Sequence, residues 1–358
     1  AERYLPVADA VGILLLGAWI LRLIRDRSRR SIRVPAGWAI GLFLLSASLS
    51  LLNTSDLVAS TQFVLRPLFF FLVVFVILPV NEIKSTTHLV QLMKEMAIIG
   101  IGFIAMGMVS LLVMHQPESI PRVVPLPIFG HYFLGGNHNE FAEVLIGFLP
   151  IFWFFSGVTK IAHHRQAWGI VLVSGVGIAL LTLSRAAWIA VAVQGGIMGV
   201  LYYRRAIIRN IQRAWPVFFL ALIPLGWLML NLLTSRVGYL ANANRLFLVQ
   251  IALDVFEQHP WIGAGAGTFL SWVAADRYYL MDFGTALDAH GILWKLLPEM
   301  GLLGVISFFG MSAAFFWIAW KQIKTARRTT EGRLLFTLFL SALGVWVFEL
   351  FGTSYYIA

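Results

Sequence analysis

Long apolar stretches recur along the whole chain and constrain its fold more than any other feature. A stretch of about 18 or more apolar residues can cross a hydrocarbon core of roughly 30 Å as an α-helix. Of the 358 residues, 59% are hydrophobic and only 12% are charged, and the mean hydropathy is +0.82. A soluble domain of this size cannot hide so much apolar surface. The sequence therefore predicts an all-α polytopic membrane protein.

The apolar stretches predict ten transmembrane helices in a single transmembrane domain that covers residues 1–358. They lie near residues 7–24, 35–52, 63–80, 96–114, 140–156, 167–183, 186–203, 215–233, 291–320 and 333–351. The first residue is alanine rather than methionine, and we expect a further segment upstream of it.

Basic residues crowd five alternate connections, and the positive-inside rule makes these connections cytoplasmic. They are Arg25, Arg27, Arg29, Arg30 and Arg33; Lys84 and Lys94; Lys160 and Arg165; Arg204, Arg205, Arg209 and Arg213; and Lys321, Lys324, Arg327, Arg328 and Arg333. These runs set the topology and contact anionic lipid headgroups, so membrane lipids are predicted partners. The formal net charge of +10 does not indicate nucleic-acid binding. The basic runs are not interspersed with aromatic residues, and the sequence shows no known nucleic-acid-binding module. Cysteine is absent, which excludes disulfide and thiolate chemistry.

A smaller group of cations lies on the opposite, outer side and works against the positive-inside bias. Arg66 stands in "QFVLRPLFFF", about one turn inside the third span, and Arg185 stands in "LLTLSRAAWIA", in a tight outer turn between spans six and seven. An arginine at the bilayer centre costs roughly 2.5–3.5 kcal/mol, and less near the interface, where the side chain can snorkel. Such residues are functional candidates that face a partner or a wet cavity. The other outer cations are Arg3, Arg122, Arg236, Arg245, Arg277 and Lys295.

One long outer connection covers residues 234–289 and contains the amphipathic stretch "NRLFLVQIALDVFEQHP". Asn244 is the predicted N-cap of this helix, which puts Arg245 in its first turn. A cation there opposes the helix dipole, so the position favours a bound anion nearby. The "GAGAG" of residues 263–267 lacks the strand and the lysine of a nucleotide-binding loop, and we predict a flexible turn.

The segment "DAHGILWKLLPEMGLLG" places His290 at the mouth of the ninth span. A neutral imidazole can accept a proton from a hydroxyl near neutral pH, and Asp288 is a candidate to orient it. Trp294 lies one turn further on the same face and is a candidate sugar contact. Pro298 predicts a helix kink. The alternative is that His290 is simply a polar residue at the headgroup level.

The stretch "GHYFLGGNHNEFAE" contains four residues of types that can bind a metal: His131, His138, Glu140 and Glu143. Their spacing matches no recognised metal motif, and outer arginines can neutralise a diphosphate instead. We therefore predict no metal and no cofactor. Asn139 is a candidate cap at the start of the fifth span, or a sugar contact.

Four stretches, in order, resemble the O-antigen ligase and polymerase superfamily of bacterial envelope glycosyltransferases. They are "GGNHNEFAEVLIGFLP" (135–150), "LLTLSRAAWIAVAV" (180–193), "NRLFLVQIALDVFEQHPWIGAGAGTF" (244–269) and "AHGILWKLLPEMGLLGVISFF" (289–309). The resemblance implies a GT-C-like fold with about twelve spans in the full chain and one large periplasmic loop. Gly291 departs from the pattern, since many relatives carry asparagine after the histidine.

The resemblance also implies an activity: inverting, metal-independent transfer of a glycan from undecaprenyl diphosphate to a sugar hydroxyl. The reaction takes place on the periplasmic face of the bacterial inner membrane. Arg185 and Arg245 match the arginines that neutralise the diphosphate, and His290 matches the base. Arg66 and Arg236 are secondary diphosphate contacts.

Two forms of this activity stay open. The favoured one is an O-antigen ligase whose acceptor is lipid A-core, and the other is a repeat-unit polymerase. Transfer to a protein is less favoured, since no extra domain for a polypeptide is visible. The alternative from another class is a secondary transporter or flippase, which would place its polar residues near the bilayer midplane.

Overall fold

The computed structural model describes residues 7–25, 32–67, 69, 73, 76–83, 85–113, 122–127, 137–203, 226, 236–326 and 329–352. Within these ranges the chain forms thirteen α-helices and no β-strand, which confirms the all-α class. The helices are α1 (Val7–Arg25), α2 (Gly37–Ser50), α3 (Leu57–Pro67), α4 (Leu78–Glu82), α5 (Thr86–Val113), α6 (His138–Val158), α7 (Ala162–Leu181), α8 (Arg185–Met198), α9 (Arg236–Gln258), α10 (Phe269–Ala275), α11 (Arg277–Phe283), α12 (Ile292–Ala326) and α13 (Thr330–Phe351).

Six of the described helices are long and apolar enough to cross a membrane. They are α5, α6, α7, α12, α13 and α8 with its π-helical continuation Gly199–Tyr203. A seventh apolar helix, Gly37–Asn53, is shorter and consists of α2 and a final 3₁₀ turn. These helices support a polytopic membrane protein. Of the predicted span near 215–233, only residue 226 belongs to the described residues, and the count of ten stays a prediction.

Helix α6 occupies the centre of the bundle. Buried residues make up 67% of its apolar window, against 11% for α12, as expected for a helix that is hydrophobic on all sides. Its phenylalanines form the main apolar cluster with α5 and α7, where Gly100 and Gly175 let Phe148 and Phe152 approach closely.

The alternating helix directions bring several helix ends together at one end of the bundle, called here the loop end. Helices α6, α8 and α12 begin there, and α7 and α13 end there. Two backbone contacts tie these ends together. The Val123 N–H donates to the Leu181 carbonyl at 2.9 Å, and the carbonyl of Leu350 lies so close to Gly291 that a Cβ there would be 2.5 Å away.

The outer connection folds into α9, α10 and α11 around a small core that includes Leu248, Phe269 and Tyr279. Helix α9 is amphipathic and ends before His259 and Pro260, as predicted. Its start was predicted wrongly, because the helix begins at Arg236 rather than after Asn244. The side chain of Asn244 instead accepts a hydrogen bond from the Tyr279 hydroxyl at 2.8 Å. Arg245 therefore lies in the helix interior, and the argument from a helix N-terminus fails.

Helix α12 is broken near its start. The break is at Gly301, with φ 62° and ψ −162°, three residues beyond the predicted kink at Pro298. The Gly-rich turn of residues 263–267 packs into the break. Here the N–H of Ala264 donates to the Pro298 carbonyl at 2.8 Å. A Cβ on Gly263 would lie 2.2 Å from the Glu299 carbonyl carbon, so this turn is closely packed, contrary to the predicted flexible turn.

Candidate active site

Arg185 lies at the loop end as the first residue of α8, directly after the tight turn that was predicted there. Leu183 in this turn has a positive φ of 56°, which reverses the chain between α7 and α8. The Arg185 side chain crosses to the outer connection, where its Nη1 donates to Oδ1 of Asn242 at 2.7 Å. This bond fixes one cation at the junction of α8 and α9.

Arg245 follows Asn242 by three residues on α9, so the two side chains share one face of the helix. Burial and the nearby charge of Arg185 lower the pKa of Arg245 to about 10. The Arg245 guanidinium forms no hydrogen bond or ion pair within the part of the chain that the structure describes. Two guanidinium groups therefore lie close together without a carboxylate between them among these residues.

His290 lies immediately before α12 and faces the same pair of arginines. Burial, with the positive charges of Arg245 and Arg185, lowers the pKa of His290 to about 4. The imidazole is therefore neutral at pH 7, the form that can act as a base. Gly291 has a positive φ of 94° and abuts the Leu350 carbonyl, which gives a physical reason for the glycine after this histidine.

Two further residues near the site were not predicted as parts of it. His138 begins α6 and lies within electrostatic range of Arg122 and Arg245. Arg122 reaches the turn before Arg185, where its Nε donates to the Thr182 carbonyl at 3.2 Å. Sequence analysis had named Arg122 as an outer cation and His138 as a discarded metal ligand. Arg122 is a cation on the predicted outer side, where the positive-inside rule disfavours positive charge, and this position marks it as a functional candidate.

The residues predicted as secondary diphosphate contacts, as a sugar contact and as a helix cap lie in different elements of the structure. Arg66 is the penultimate residue of α3, and Arg236 begins α9 with a side chain outside the described part of the structure. Trp294 packs against the core of the outer connection. The cap of α6 is Asn137, whose Oδ1 accepts from the N–H groups of Asn139 and Glu140, so the predicted cap at Asn139 was wrong by two residues.

A second charged cluster is formed by residues close to His290 in the chain. The Lys295 ammonium forms an ion pair with the Asp288 carboxylate, and the second Asp288 oxygen accepts from the Ala289 N–H at 2.8 Å. One turn further, Glu299 is fully buried, and its Oε1 accepts from the Phe269 N–H at 3.2 Å. Sequence analysis did not single out Glu299, because one glutamate in an apolar helix carries no local signal of its partner.

Comparison with known proteins gives one match to a family. Residues 170–309 match the family model described as O-antigen ligase. This segment is similar to the O-antigen ligase family. It contains Arg185, Arg245 and His290, and the match confirms the resemblance predicted from the sequence. The family supports a glycosyltransferase-type enzyme that acts on a lipid-linked glycan and a glycan acceptor. No curated protein matches the chain.

Proposed function

We propose that this protein transfers an oligosaccharide or polysaccharide from undecaprenyl diphosphate to an acceptor sugar hydroxyl. The observation that carries the proposal is the convergence of two arginines and a neutral histidine at the loop end of the bundle. Arg185 comes from α8, Arg245 from α9, and His290 from the start of α12. The charge effects on His290 support their proximity. By the positive-inside rule, this end faces the periplasm.

The two arginines are suited to bind the diphosphate of the donor. Partly buried guanidinium groups without carboxylate partners favour an anionic ligand, and phosphate accepts their hydrogen bonds in bidentate fashion. A charge-assisted hydrogen bond of this kind contributes about 1.5–3 kcal/mol. Its contribution to the rate is larger if it strengthens while negative charge builds on the departing phosphate. Fixed arginines would thereby supply the charge that a metal ion supplies elsewhere.

The proposed step is an inverting displacement at the anomeric carbon. The acceptor oxygen forms a bond to that carbon while the bond from the carbon to the phosphate oxygen breaks. The electron pair of the broken bond leaves with undecaprenyl diphosphate, and Arg185 and Arg245 stabilise it. His290 takes the proton from the acceptor hydroxyl, a role that typically contributes 10²–10⁴-fold to the rate.

Donor binding would also improve His290 as a base. Without an anion, burial and then the charges of Arg245 and Arg185 hold the pKa of His290 near 4, where the imidazole is a weak base. A bound diphosphate places negative charge beside these arginines and weakens their effect on the imidazole. The pKa of His290 then rises by the part that the arginines contribute, which makes the imidazole a stronger base.

The ligase form, with lipid A-core as acceptor, remains the favoured version, and the polymerase form shares the same donor chemistry. Both fit a site at one end of the bundle, in the inner membrane with its active site on the periplasmic side. A transporter would instead need its central charges near the bilayer midplane. The proposed charged groups lie at helix starts or in the outer connection, which favours a transferase.

The experiment that tests this proposal measures release of undecaprenyl diphosphate by purified protein in detergent with a chelator. The substrates are a lipid-linked oligosaccharide and a crude envelope glycan as acceptor. Wild type is compared with His290→Ala and Arg185→Ala. We expect His290→Ala to lose about 10²–10⁴-fold in rate. Product size then separates a ligase, which attaches a finished chain, from a polymerase, which lengthens it.

Arg277→Ala is the matched control, because Arg277 is an exposed arginine of the same outer connection. We expect it to retain the wild-type rate. Equal release by wild type, His290→Ala and Arg185→Ala would contradict the assigned site. Absence of release by well-folded wild type, with these donor and acceptor preparations, would count against the transferase and favour the transporter.

A further inference from the structure

A buried lysine lies five residues after the proposed base in the chain. Lys295 is in the first turns of α12, and only 4% of its surface is exposed. An ionised ammonium is costly to bury unless it is paired. The proposed transfer step gives Lys295 no role, since its charge is paired with Asp288. A lysine buried in such a place therefore requires another explanation.

The contacts of Lys295 point towards the segment that carries His290. Its ammonium pairs with Asp288, two residues before His290, and lies 5.1 Å from the centre of the Phe63 ring. Asp288 also accepts the Ala289 N–H. Lys295 thus connects three elements: α3, the start of α12 and the segment of residues 288–291.

The same segment also contacts the end of α13. Gly291 packs against the Leu350 carbonyl with no space for a side chain. His290 therefore lies in the chain between Asp288, which is paired with Lys295, and Gly291, which abuts α13. A small displacement of this segment would move the imidazole relative to Arg185 and Arg245.

We propose that Lys295 is a positioning residue whose ion pair with Asp288 holds the His290 imidazole in place beside Arg185 and Arg245. This inference rests on the proposed function only for its kinetic consequence. Misplacement of a reacting group by about 1 Å can cost about 10²-fold in rate. Binding of the donor diphosphate needs the two arginines, whereas the ammonium of Lys295 is held by Asp288 and the Phe63 ring.

The first test is the kinetics of Lys295→Met, which keeps an unbranched apolar stem and removes the charge. We expect kcat to fall about 10–100-fold, with the donor KM changed less than about twofold because both arginines remain. Lys295→Arg should restore most of kcat, since it can pair with Asp288. The matched control is Lys321→Met, because Lys321 lies on the same helix and also stacks on an aromatic ring, that of Trp317.

A single substitution leaves the partly buried Asp288 without its partner and can unfold the protein. The double variant Asp288→Asn with Lys295→Met removes both charges together, and the amide oxygen that replaces the carboxylate would still accept the Ala289 N–H. We expect this variant to fold and to show the same loss of kcat as Lys295→Met alone, because both substitutions break one interaction. Wild-type kcat in the folded double variant would overturn the proposal.

A second readout does not depend on transfer activity. Diethyl pyrocarbonate modifies neutral imidazole, so the pH dependence of His290 modification, followed by mass spectrometry, reports the pKa of His290. In wild type we expect a midpoint near 4. In the double variant the imidazole should move away from the two cations, and the midpoint should rise above the wild-type value because the part of the shift that Arg245 and Arg185 cause becomes smaller. An unchanged midpoint would overturn the positioning role.

The two readouts also separate the two proposals. A midpoint that rises in the double variant while wild type releases no undecaprenyl diphosphate would support the positioning role and overturn the transferase. Release by wild type together with an unchanged midpoint and unchanged kcat in the double variant would support the transferase and overturn the positioning role.

Discussion

Two clusters of charge lie near His290, one formed by Arg185 and Arg245 and the other by Lys295, Asp288 and Glu299, and their charges are compensated differently. In the arginine cluster, Arg185 bonds to a neutral amide and Arg245 forms no hydrogen bond or ion pair in the described ranges. In the lysine cluster, Lys295 pairs with Asp288, and the fully buried Glu299 accepts a backbone N–H. The first cluster has excess positive charge, whereas in the second the only lysine is paired with a carboxylate.

This difference distinguishes a ligand site from a scaffold. Buried charge is stable only when something compensates it. The charge of Lys295 is compensated within the protein by Asp288, so this pair does not need a ligand to form. The arginine cluster lacks such compensation among the described residues, and an anionic donor can supply it. We therefore assign binding to the first cluster and positioning to the second.

The largest effect is expected when the arginine cluster is given a carboxylate of its own. In wild type, Nη1 of Arg185 donates to the Asn242 amide oxygen at 2.7 Å. The substitution Asn242→Asp is nearly isosteric and places a negative charge beside this nitrogen. The new ion pair would compete with the donor diphosphate. We expect the donor KM to rise about 10–100-fold, equivalent to roughly 1.4–2.8 kcal/mol, in steady-state measurements of undecaprenyl diphosphate release.

Asn242→Leu is the control for this substitution, because it removes the same hydrogen bond without adding charge. We expect it to raise the donor KM by several-fold at most, in line with about 0.5–1.5 kcal/mol for one ordinary hydrogen bond. Equal donor KM values for the Asp and Leu variants would show that charge compensation is not what distinguishes this cluster.

A smaller effect, on stability, is expected at the helix break beside the lysine cluster. Gly301 has a positive φ of 62°, and a Cβ there would lie 2.5 Å from the Trp261 carbonyl carbon. Gly301→Ala should lower the free energy of unfolding by about 1–3 kcal/mol or more, because both the conformation and the close approach exclude a side chain. Thermal unfolding in detergent measures this.

Gly310→Ala is the matched substitution, since Gly310 lies on the same helix with nothing within 4 Å of the added Cβ. We expect its unfolding temperature to stay near that of wild type. If Gly301→Ala proved as stable as Gly310→Ala, the break in α12 would not be a rigid part of the scaffold.

The smallest effect at neutral pH is expected in the pH dependence of kcat and kcat/KM. This pH dependence also tests directly whether the bound donor changes the pKa of His290. In the free enzyme His290 is neutral above its pKa of about 4, so kcat/KM should fall only as pH drops through that value. In the donor complex the pKa of His290 is raised, so kcat should begin to fall at a higher pH.

Arg245→Gln removes one cation beside His290 and should move the acid limb of kcat/KM to higher pH. Coincident acid limbs for kcat and kcat/KM in wild type would contradict the coupling.

Much of the fold was predictable because it depends on local sequence. The length of an apolar run is enough to predict a transmembrane helix. The ends of α6, α8, α12 and α13 accordingly lie within several residues of the predicted ends. The errors arose where tertiary contacts override a local signal. Asn244 has the residue type of a cap, but its side chain bonds to Tyr279, and the helix continues through it. Pro298 indicated a kink, whereas the break falls at Gly301, where the turn of residues 263–267 packs against the helix.

The sequence by itself determined the helical class, the outer cations that work against the topology rule, and the family resemblance that the match to residues 170–309 confirms. These follow from composition, spacing and residue identity. Only the tertiary structure decided that Arg185 bonds to Asn242, that Arg245 has no ionic partner in the described part, and that Asp288 pairs with Lys295. The reason is physical: whether a charge is compensated depends on which side chains the packing brings within a few ångströms, and sequence spacing does not specify that distance.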